Sequence, residues 1–217
     1  MIYNKPIEWG AEKAKAFLKE PRIKKMIAMV PPNKIVIDLG CYTGDIAHEL
    51  LKKSRDVFGY DCNSRFVAMT KAKGIDAYLA DFEVGVPGFP KICNVVVAGE
   101  LIEHIVRTEV FLDNCFRILD DDGELIISTP NLAYIGHRIK GLFGKAPGIM
   151  GYESGEDTAG PGHVRYFTLK TLTELLQKHG FCVTNVRGSD IKGNELLGDL
   201  FPTLAFHLII KAQKYGT

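Results

Sequence analysis

Short apolar runs that alternate with stretches of helical periodicity constrain the fold of this chain more than any other feature. The apolar runs occupy residues 35–39, 57–60, 77–80, 94–98 and 124–129. The first run, Ile35–Leu39, is almost wholly apolar, which is typical of a strand buried on both faces. Strands and helices that alternate at these spacings suit right-handed crossovers between parallel strands. The sequence therefore predicts an α/β fold, with a doubly wound, mostly parallel sheet and helices on both faces.

The order of these segments indicates one domain with two additions. A chain of 217 residues suits a single domain with a sizeable core. Residues 1–32 are expected to form an N-terminal helical cap, interrupted at Pro21. The alternation breaks over residues 131–167, and an insertion of this length in a compact domain is usually functional. We expect it to form a lid over the substrate, and two strands, at 181–186 and 205–211, to complete the sheet.

Composition and charge exclude several classes of function. Lys and Arg number 27 and Asp and Glu 26, so the formal net charge is +1 and no field that would gather DNA is predicted. The 5 cysteines form no Cys-x-x-Cys pair, which argues against a disulfide framework and suits a reducing compartment. The sequence shows no signal peptide and no apolar run of membrane-spanning length. We therefore expect a cytoplasmic location, and nothing in the sequence indicates an oligomeric state.

The first predicted strand ends in a glycine-containing turn, Asp38-Leu-Gly-Cys-Tyr-Thr-Gly44. Gly40 permits a tight turn and close approach of a ligand, and Gly44 would let the following helix pack close to the strand. A dinucleotide would require Gly-x-Gly-x-x-Gly, and Tyr42 stands where a middle glycine would be. S-adenosylmethionine carries no phosphate; it requires backbone approach to its amino acid part and an acid, such as Asp38, for its ammonium. The turn therefore favours S-adenosylmethionine and disfavours a nicotinamide oxidoreductase.

Carboxylates also follow the second and third predicted strands. Asp61 ends the second strand, where an acid roughly 20 residues beyond the glycines can accept hydrogen bonds from both ribose hydroxyls. Asp81 follows the third strand and can accept a hydrogen bond from an adenine amino group, while Phe82 can lie along the base. Each of these features alone is also common as a helix cap or a turn. Together with the glycine turn, they predict one nucleoside-binding site.

These motifs, in this order, resemble those of a known family. Residues 35–44 resemble the first motif of the class I S-adenosylmethionine-dependent methyltransferases, and Asp61, Asp81 and Phe82 match the family's ribose and adenine positions. Other segments resemble later motifs of the family: residues 98–104, 119–131, 162–168 and 178–181. The resemblance extends to the broad group that includes the ubiquinone-pathway O-methyltransferases. It implies a Rossmann-like sheet of seven strands in which the last strand is antiparallel.

The resemblance also implies which residues hold the cofactor. S-adenosylmethionine would contact residues that follow successive strands: Asp38, Gly40, Cys41, Tyr42, Gly44, Asp61, Cys62, Asp81, Phe82 and Glu100. Tyr42 departs from the family, in which glycine is usual at this position. We expect this tyrosine to tighten or reshape the pocket for the amino acid part of the cofactor.

A cluster of acids and histidines follows the fourth predicted strand, where the transferred methyl group would lie. It comprises Glu100, Glu103 and His104, and His163 would fold back over it from the insertion. In one interpretation, His104 or His163 is a general base that removes a proton from an acceptor hydroxyl. In a second, the four residues bind a divalent metal, an arrangement that resembles ubiquinone-pathway O-methyltransferases and small-RNA 2′-O-methyltransferases. In a third, Glu103 and His104 only shape the pocket wall. We take His104, His163 and Glu103 as the candidate catalytic residues and leave the metal open.

The insertion has two parts of different character. Residues 132–145 are apolar and basic and contain no acid, which suits either an amphipathic cover helix or contact with a lipid-like substrate or a membrane surface. Residues 153–157 are acidic and flanked by glycine, which is typical of a mobile loop. We expect the two parts to close over the site and exclude water from the sulfonium.

These interpretations combine into one predicted function. The chain is expected to transfer a methyl group from S-adenosylmethionine to a hydroxyl of a small-molecule, sugar or lipid-like acceptor. Two alternatives remain: a non-catalytic binding protein with the same fold, and an RNA 2′-O-methyltransferase. The RNA alternative has no basic stripe or added RNA-binding module to support it.

Overall fold

The computed structural model describes residues 10–84, 93–147, 162–189 and 195–215. The helices are α1 (Ala11–Leu18), α2 (Pro21–Met29), α3 (Asp45–Leu51), α4 (Ser64–Ala72), α5 (Thr108–Ile118), α6 (Ile135–Leu142), α7 (Leu169–Lys178) and α8 (Glu195–Leu200). The strands are β1 (Ile35–Leu39), β2 (Asp56–Asp61), β3 (Asp76–Leu79), β4 (Cys93–Gly99), β5 (Leu119–Pro130), β6 (Phe181–Ser189) and β7 (His207–Lys214). Short 3₁₀ turns lie at Ile102–His104 and Pro202–Leu204.

The strands form a 7-stranded sheet in the order β3-β2-β1-β4-β5-β7-β6. Strands β1 to β5 pair in parallel, whereas β7 is antiparallel to both β5 and β6. This confirms the predicted mostly parallel sheet with an antiparallel last strand. The strand order reverses between β1 and β4, and open α/β sheets bind ligands at such a point, outside the carboxyl ends of the strands.

Each face of the sheet carries its own apolar layer, because successive side chains of a strand point to opposite faces. Ile37 of β1 belongs to the layer that α5 and α7 cover. Its neighbour Val36 belongs to the layer that α2 and α3 cover. All residues of β1 are buried, as the apolar run predicts. Within the described ranges, no helix has both the length and the apolar character that crossing a membrane requires.

The ends of the later strands differ from the sequence-based expectation. The apolar run 124–129 predicts a strand that begins at residue 124, but β5 begins at Leu119 and also contains the acidic segment 120–123. Cys93 pairs with Leu119 and Val95 pairs with Glu124, so β5 holds more residues than β4 over this stretch, and the excess forms a bulge. At the end of the chain, β7 begins at His207 rather than at residue 205. The residues just before it are held instead by Asn131, whose amide donates to the Ala205 carbonyl at 2.8 Å.

Candidate functional site

A cavity of about 900 Å³ opens at the carboxyl ends of β1, β2 and β4, within the usual size range of small-molecule sites. Most of the residues predicted to hold a cofactor line it: Gly40, Cys41, Tyr42, Asp61, Cys62, Asp81, Phe82 and Glu100. His104 lines it as well. The other predicted residues are not among the described residues that reach its surface: Asp38, Gly44, Glu103 and His163. The predicted residues thus form two groups: those that line the cavity and those that lie behind its wall.

The glycine turn shapes one wall of the cavity. Gly40 has a φ of 72°, and a Cβ at this position would lie 3.2 Å from the Leu101 side chain, so only glycine fits without displacing Leu101. Tyr42 also adopts a left-handed conformation, with a φ of 48°. Its ring packs on Phe66 at a centroid distance of 4.3 Å, and its carbonyl accepts a hydrogen bond from Thr70 at 3.1 Å. The tyrosine is therefore held in a backbone geometry that glycine usually occupies.

Gly44 has a packing role different from the expected one. Its φ is 77°, and a Cβ added to it would lie 2.9 Å from the Thr70 Cα. Thr70 belongs to α4, so Gly44 lets the glycine turn approach α4 rather than β1. The residue supports the cavity wall from behind.

We expect Gly44→Ala to lower the free energy of unfolding by roughly 2–5 kcal/mol, because the alanine is strained and also collides with α4. Gly74→Ala is the matched control: Gly74 has a φ of 78° with no atom within 4 Å of an added Cβ. This control should cost only the conformational penalty of about 1–2 kcal/mol. Urea unfolding of both variants measures the difference, and equal losses would show that the contact with Thr70 is unimportant.

Asp61 connects the turn to the end of β2. Its carboxylate accepts hydrogen bonds from the Tyr42 N–H at 3.0 Å and from the Asn63 N–H at 2.9 Å. Burial raises the pKa of this carboxyl group, and the backbone hydrogen bonds oppose the rise. Each carboxylate oxygen can accept more than one hydrogen bond, so Asp61 retains capacity for a ligand in the cavity that it lines.

The next strand end contributes Asp81 and Phe82. Asp81 is exposed, and its carboxylate accepts the Glu83 N–H at 2.9 Å. The Phe82 ring packs edge-on against Phe111, with centroids 6.3 Å apart. Glu83 in turn accepts hydrogen bonds from two backbone N–H groups just before α5, Val106 at 2.6 Å and Arg107 at 2.8 Å. These contacts hold the two sides of the cavity together.

Asp38 lies behind the glycine turn. It is buried, and its Oδ2 has no hydrogen-bond partner among the described residues. Burial, together with the nearby Asp61, raises the pKa of Asp38 to about 8. Its predicted contact with an ammonium stays a prediction, because Asp38 is not among the described residues that line the cavity.

Glu100 is held by residues that the sequence motifs did not reveal. It has a φ of 51°, and its carboxylate accepts the Ser128 hydroxyl at 3.0 Å. The guanidinium of Arg22, from α2, lies 3.8 Å away, and His207 Nε2 lies 3.4 Å away. Burial, followed by the positive charge of Arg22, lowers the pKa of His207 to about 3, so this histidine is neutral at pH 7. Arg22 also lines the cavity, and its Nε is buried without a partner among the described residues.

Glu103, His104 and His163 form a compact group beside the cavity. One possible ligand atom from each lies within 4.8 Å of the others. Glu103 is buried; its Oε2 accepts the Thr129 hydroxyl at 3.0 Å, and its Oε1 has no hydrogen-bond partner among the described residues. Burial, and then the neighbouring Glu100, raise the pKa of Glu103. His163 Nε2 lies 3.9 Å from Glu103 Oε1.

Both histidines of this group are neutral at pH 7. Burial, and then the neighbouring His104, lower the pKa of His163 to about 4. Burial also lowers the pKa of His104. His104 Nδ1 lies 3.2 Å from the Gly162 carbonyl oxygen. Because a carbonyl can only accept, this contact requires the proton on Nδ1 and leaves the lone pair on Nε2.

Residues of the insertion cover this group. Val164 and Arg165 donate backbone hydrogen bonds to the Glu103 carbonyl at 2.9 and 3.0 Å. Gly162 lines the cavity. Helix α6 occupies part of the apolar and basic segment 132–145, whereas the acidic segment 153–157 lies outside the described residues. The lid function of the insertion stays a prediction.

Comparison with known proteins agrees with this geometry. The profile of a family described as a methyltransferase domain matches residues 11–186. A probable S-adenosylmethionine-dependent methyltransferase of Mycolicibacterium smegmatis is 30% identical over 155 residues, which cover 70% of this chain and 54% of that protein. The mitochondrial ubiquinone biosynthesis O-methyltransferase of Bos taurus is 26% identical over 165 residues, covering 70% of this chain and 42% of that protein. The chain thus spans about half of these relatives or less.

Solved structures show the same fold. A SAM-dependent methyltransferase from Thermotoga maritima superposes with a TM-score of 0.68 at 17% identity, over 89% of this chain and 87% of that one. The family match covers most of the chain, and the strand order and the cavity at the carboxyl edge are those expected of a cofactor site in such a sheet. The chain therefore belongs to the class I S-adenosylmethionine-dependent methyltransferases.

Proposed function

We propose that this methyltransferase acts on a hydroxyl group of a small-molecule, sugar or lipid-like acceptor, with His104 as the general base. The observation that carries the proposal is the group Glu103–His104–His163, where a neutral histidine lines the cavity and its Nε2 has no partner in the part of the chain that the structure describes. A hydroxyl must lose its proton as its oxygen is methylated, and a neutral imidazole accepts a proton near pH 7.

The described residues fit the cofactor. The glycine turn with Gly40 suits the amino acid part, the carboxylate of Asp61 suits the ribose, and the exposed Asp81 suits the adenine, since all three line the cavity. Arg22 suits the cofactor's carboxylate, because it lines the cavity and its Nε has no hydrogen-bond partner among the described residues. When bound, S-adenosylmethionine supplies an activated methyl group on a positively charged sulfur.

The chain's own residues position the acceptor and take its proton. The Gly162 carbonyl fixes the His104 ring and its tautomer. In the reaction, the proton of the acceptor hydroxyl passes to His104 Nε2 as the oxygen gains the methyl group. Glu103 lies close enough to stabilise the resulting imidazolium if it ionises. Leu101 and Ile105 give the cavity an apolar wall, which suits an acceptor with an apolar body.

A divalent cation is the second candidate for activating the hydroxyl. It is favoured by the unpartnered Oε1 of buried Glu103 beside two neutral histidines. These residues would hold the ion through one oxygen and two nitrogens, and the ion would polarise the acceptor oxygen. Cation binding would also require Glu103 to ionise, so affinity for the metal should rise with pH.

A panel of acceptors tests the proposed chemistry. The purified protein would be incubated with methyl-labelled S-adenosylmethionine and catechol, methyl glucoside or octyl glucoside, with tryptamine as the nitrogen acceptor. We expect S-adenosylhomocysteine to form with at least one hydroxyl compound, and the label to appear on oxygen. Label on the tryptamine nitrogen alone would contradict the proposal, and cofactor binding without turnover on any acceptor would favour a binding protein.

Removal of metal separates the two ways of activating the hydroxyl. After treatment with EDTA, an enzyme that uses His104 as its base should keep its turnover. If turnover is lost and then restored by Mg²⁺ or Mn²⁺, the cation candidate is correct instead. Glu103→Gln is informative in the second case, because the amide is a poorer cation ligand and should raise the concentration of Mg²⁺ needed for half-maximal activity.

A further inference from the structure

Exposed apolar side chains concentrate on two short segments of the surface. They lie on α6 with the residue that follows it, and on α8 with the residue that follows it: Ile135, Ile139, Leu142, Phe143, Leu196, Leu197, Leu200 and Phe201. Leu142 is 84% exposed and Phe143 is 77% exposed. We call these eight residues the apolar face. Apolar groups gathered in this way usually mark a surface that binds a partner.

The two segments lie at the same edge of the sheet as the cavity. Helix α6 follows the carboxyl end of β5, and α8 follows that of β6. Because β5 and β6 are both antiparallel to β7, they run in the same direction and end at the same edge. Arg138 of α6 donates to the Thr203 carbonyl at 3.4 Å, which joins α6 to the 3₁₀ turn that follows α8.

Helix α8 is fixed to the body of the protein. A Cβ on Gly198 would lie 2.6 Å from the Gly188 carbonyl oxygen, so the helix and β6 are in backbone contact. Lys25 of α2 donates to the Gly188 carbonyl at 2.8 Å and to the Asp199 carboxylate at 3.1 Å. The leucines of α8 are therefore exposed on a helix that is packed in place.

Among the described residues, the charges around the apolar face are mainly positive, and the exposed Glu195 at the start of α8 is the exception. Segment 132–145 contains Arg138, Lys140 and Lys145 and no acidic residue. Arg138 donates to the carbonyls of Ala133 and Thr203, which are neutral and leave its charge in place. On α8, the negative charge of Asp199 is balanced by Lys25 at 3.1 Å and Arg187 at 3.3 Å.

We propose that the apolar face docks on an anionic lipid bilayer. Phe143 and the leucines would enter the boundary between headgroups and acyl chains, and the cations of segment 132–145 would meet the anionic headgroups. A second copy of the chain fits this surface less well, because its own apolar face carries the same mainly positive charges and offers few acidic partners to these cations. The inference goes beyond methyl transfer and does not depend on it.

Sedimentation with vesicles tests this docking. The protein should bind vesicles of phosphatidylcholine with phosphatidylglycerol, bind vesicles of phosphatidylcholine alone weakly, and dissociate as salt is raised. The double variant Leu142→Ser/Phe143→Ser should lower the partition coefficient by about tenfold or more. Both side chains are exposed, so this variant should melt at the same temperature as the wild type.

A matched control removes an exposed leucine from the other end of the sheet. Leu79 of β3 is 57% exposed, and Leu79→Ser should bind the vesicles as the wild type does. Absence of wild-type binding to phosphatidylglycerol vesicles, or equal binding by the double variant, would overturn the proposal. A dimer in solution that the double variant disperses would assign the apolar face to a second copy and would overturn it as well.

Discussion

His104→Gln is expected to lower the turnover number by about 10²–10⁴-fold while leaving the affinity for S-adenosylmethionine close to that of the wild type. The reason is that glutamine retains a polar side chain in the cavity but has no nitrogen that can accept a proton near pH 7. Turnover would be followed by formation of S-adenosylhomocysteine, and cofactor affinity by calorimetry. His48→Gln is the matched control, because His48 is an exposed histidine on α3.

The pH dependence of turnover tests the role of His104 independently. A general base must be neutral to work, and burial lowers the pKa of His104 below its usual value of 6.5. The midpoint of the fall in turnover with decreasing pH should therefore lie below pH 6.5. A midpoint at or above the usual histidine pKa would assign the proton acceptor to another group, and an unchanged turnover in His104→Gln would remove the histidine from the mechanism.

Asp61→Ala is expected to weaken the binding of S-adenosylmethionine by about 10²–10³-fold, as hydrogen bonds to a charged acceptor contribute about 1.5–3 kcal/mol each. Asp61 holds the Tyr42 N–H at 3.0 Å and lines the cavity, so its loss removes a ligand contact and also loosens the glycine turn. Calorimetric titration with the cofactor measures the effect.

Two further variants separate the loss of the ligand contact from the loosening of the glycine turn. Asp56→Ala removes an exposed carboxylate at the start of the same strand, β2, and should leave cofactor affinity unchanged. Asp61→Asn keeps an acceptor oxygen for one of the two backbone N–H groups, of Tyr42 or Asn63, and loses the charge. It should therefore loosen the turn less than Asp61→Ala does, while the affinity for the cofactor still falls. Wild-type affinity in Asp61→Ala would mean that the ribose is held elsewhere.

The local sequence pattern predicted those residues of the site that lie directly at the ends of strands. The apolar run of β1 and the glycine turn after it are contiguous in sequence, and Asp61 ends the neighbouring strand. Parallel pairing therefore brings these groups to one edge whatever the loops do. The fold followed from the same alternation of strands and helices.

Sequence patterns do not predict contacts between segments that lie far apart in the sequence. Arg22 reaches the cavity only because α2 packs on the sheet, and no motif marks it. The position of Asp38 behind the turn depends on which way its side chain points, which an all-buried strand does not reveal. Helix α8 was missed because a six-residue helix gives almost no periodicity.

A crystal structure with S-adenosylhomocysteine tests the central claim most directly, since that claim concerns where the cofactor lies relative to the Glu103–His104–His163 group. We expect the ribose hydroxyls on the Asp61 carboxylate, the adenine beside Asp81 and Phe82, and the sulfur on the side of the cavity that His104 lines. A nucleoside bound away from Asp61, or a sulfur that faces away from His104, would contradict the account.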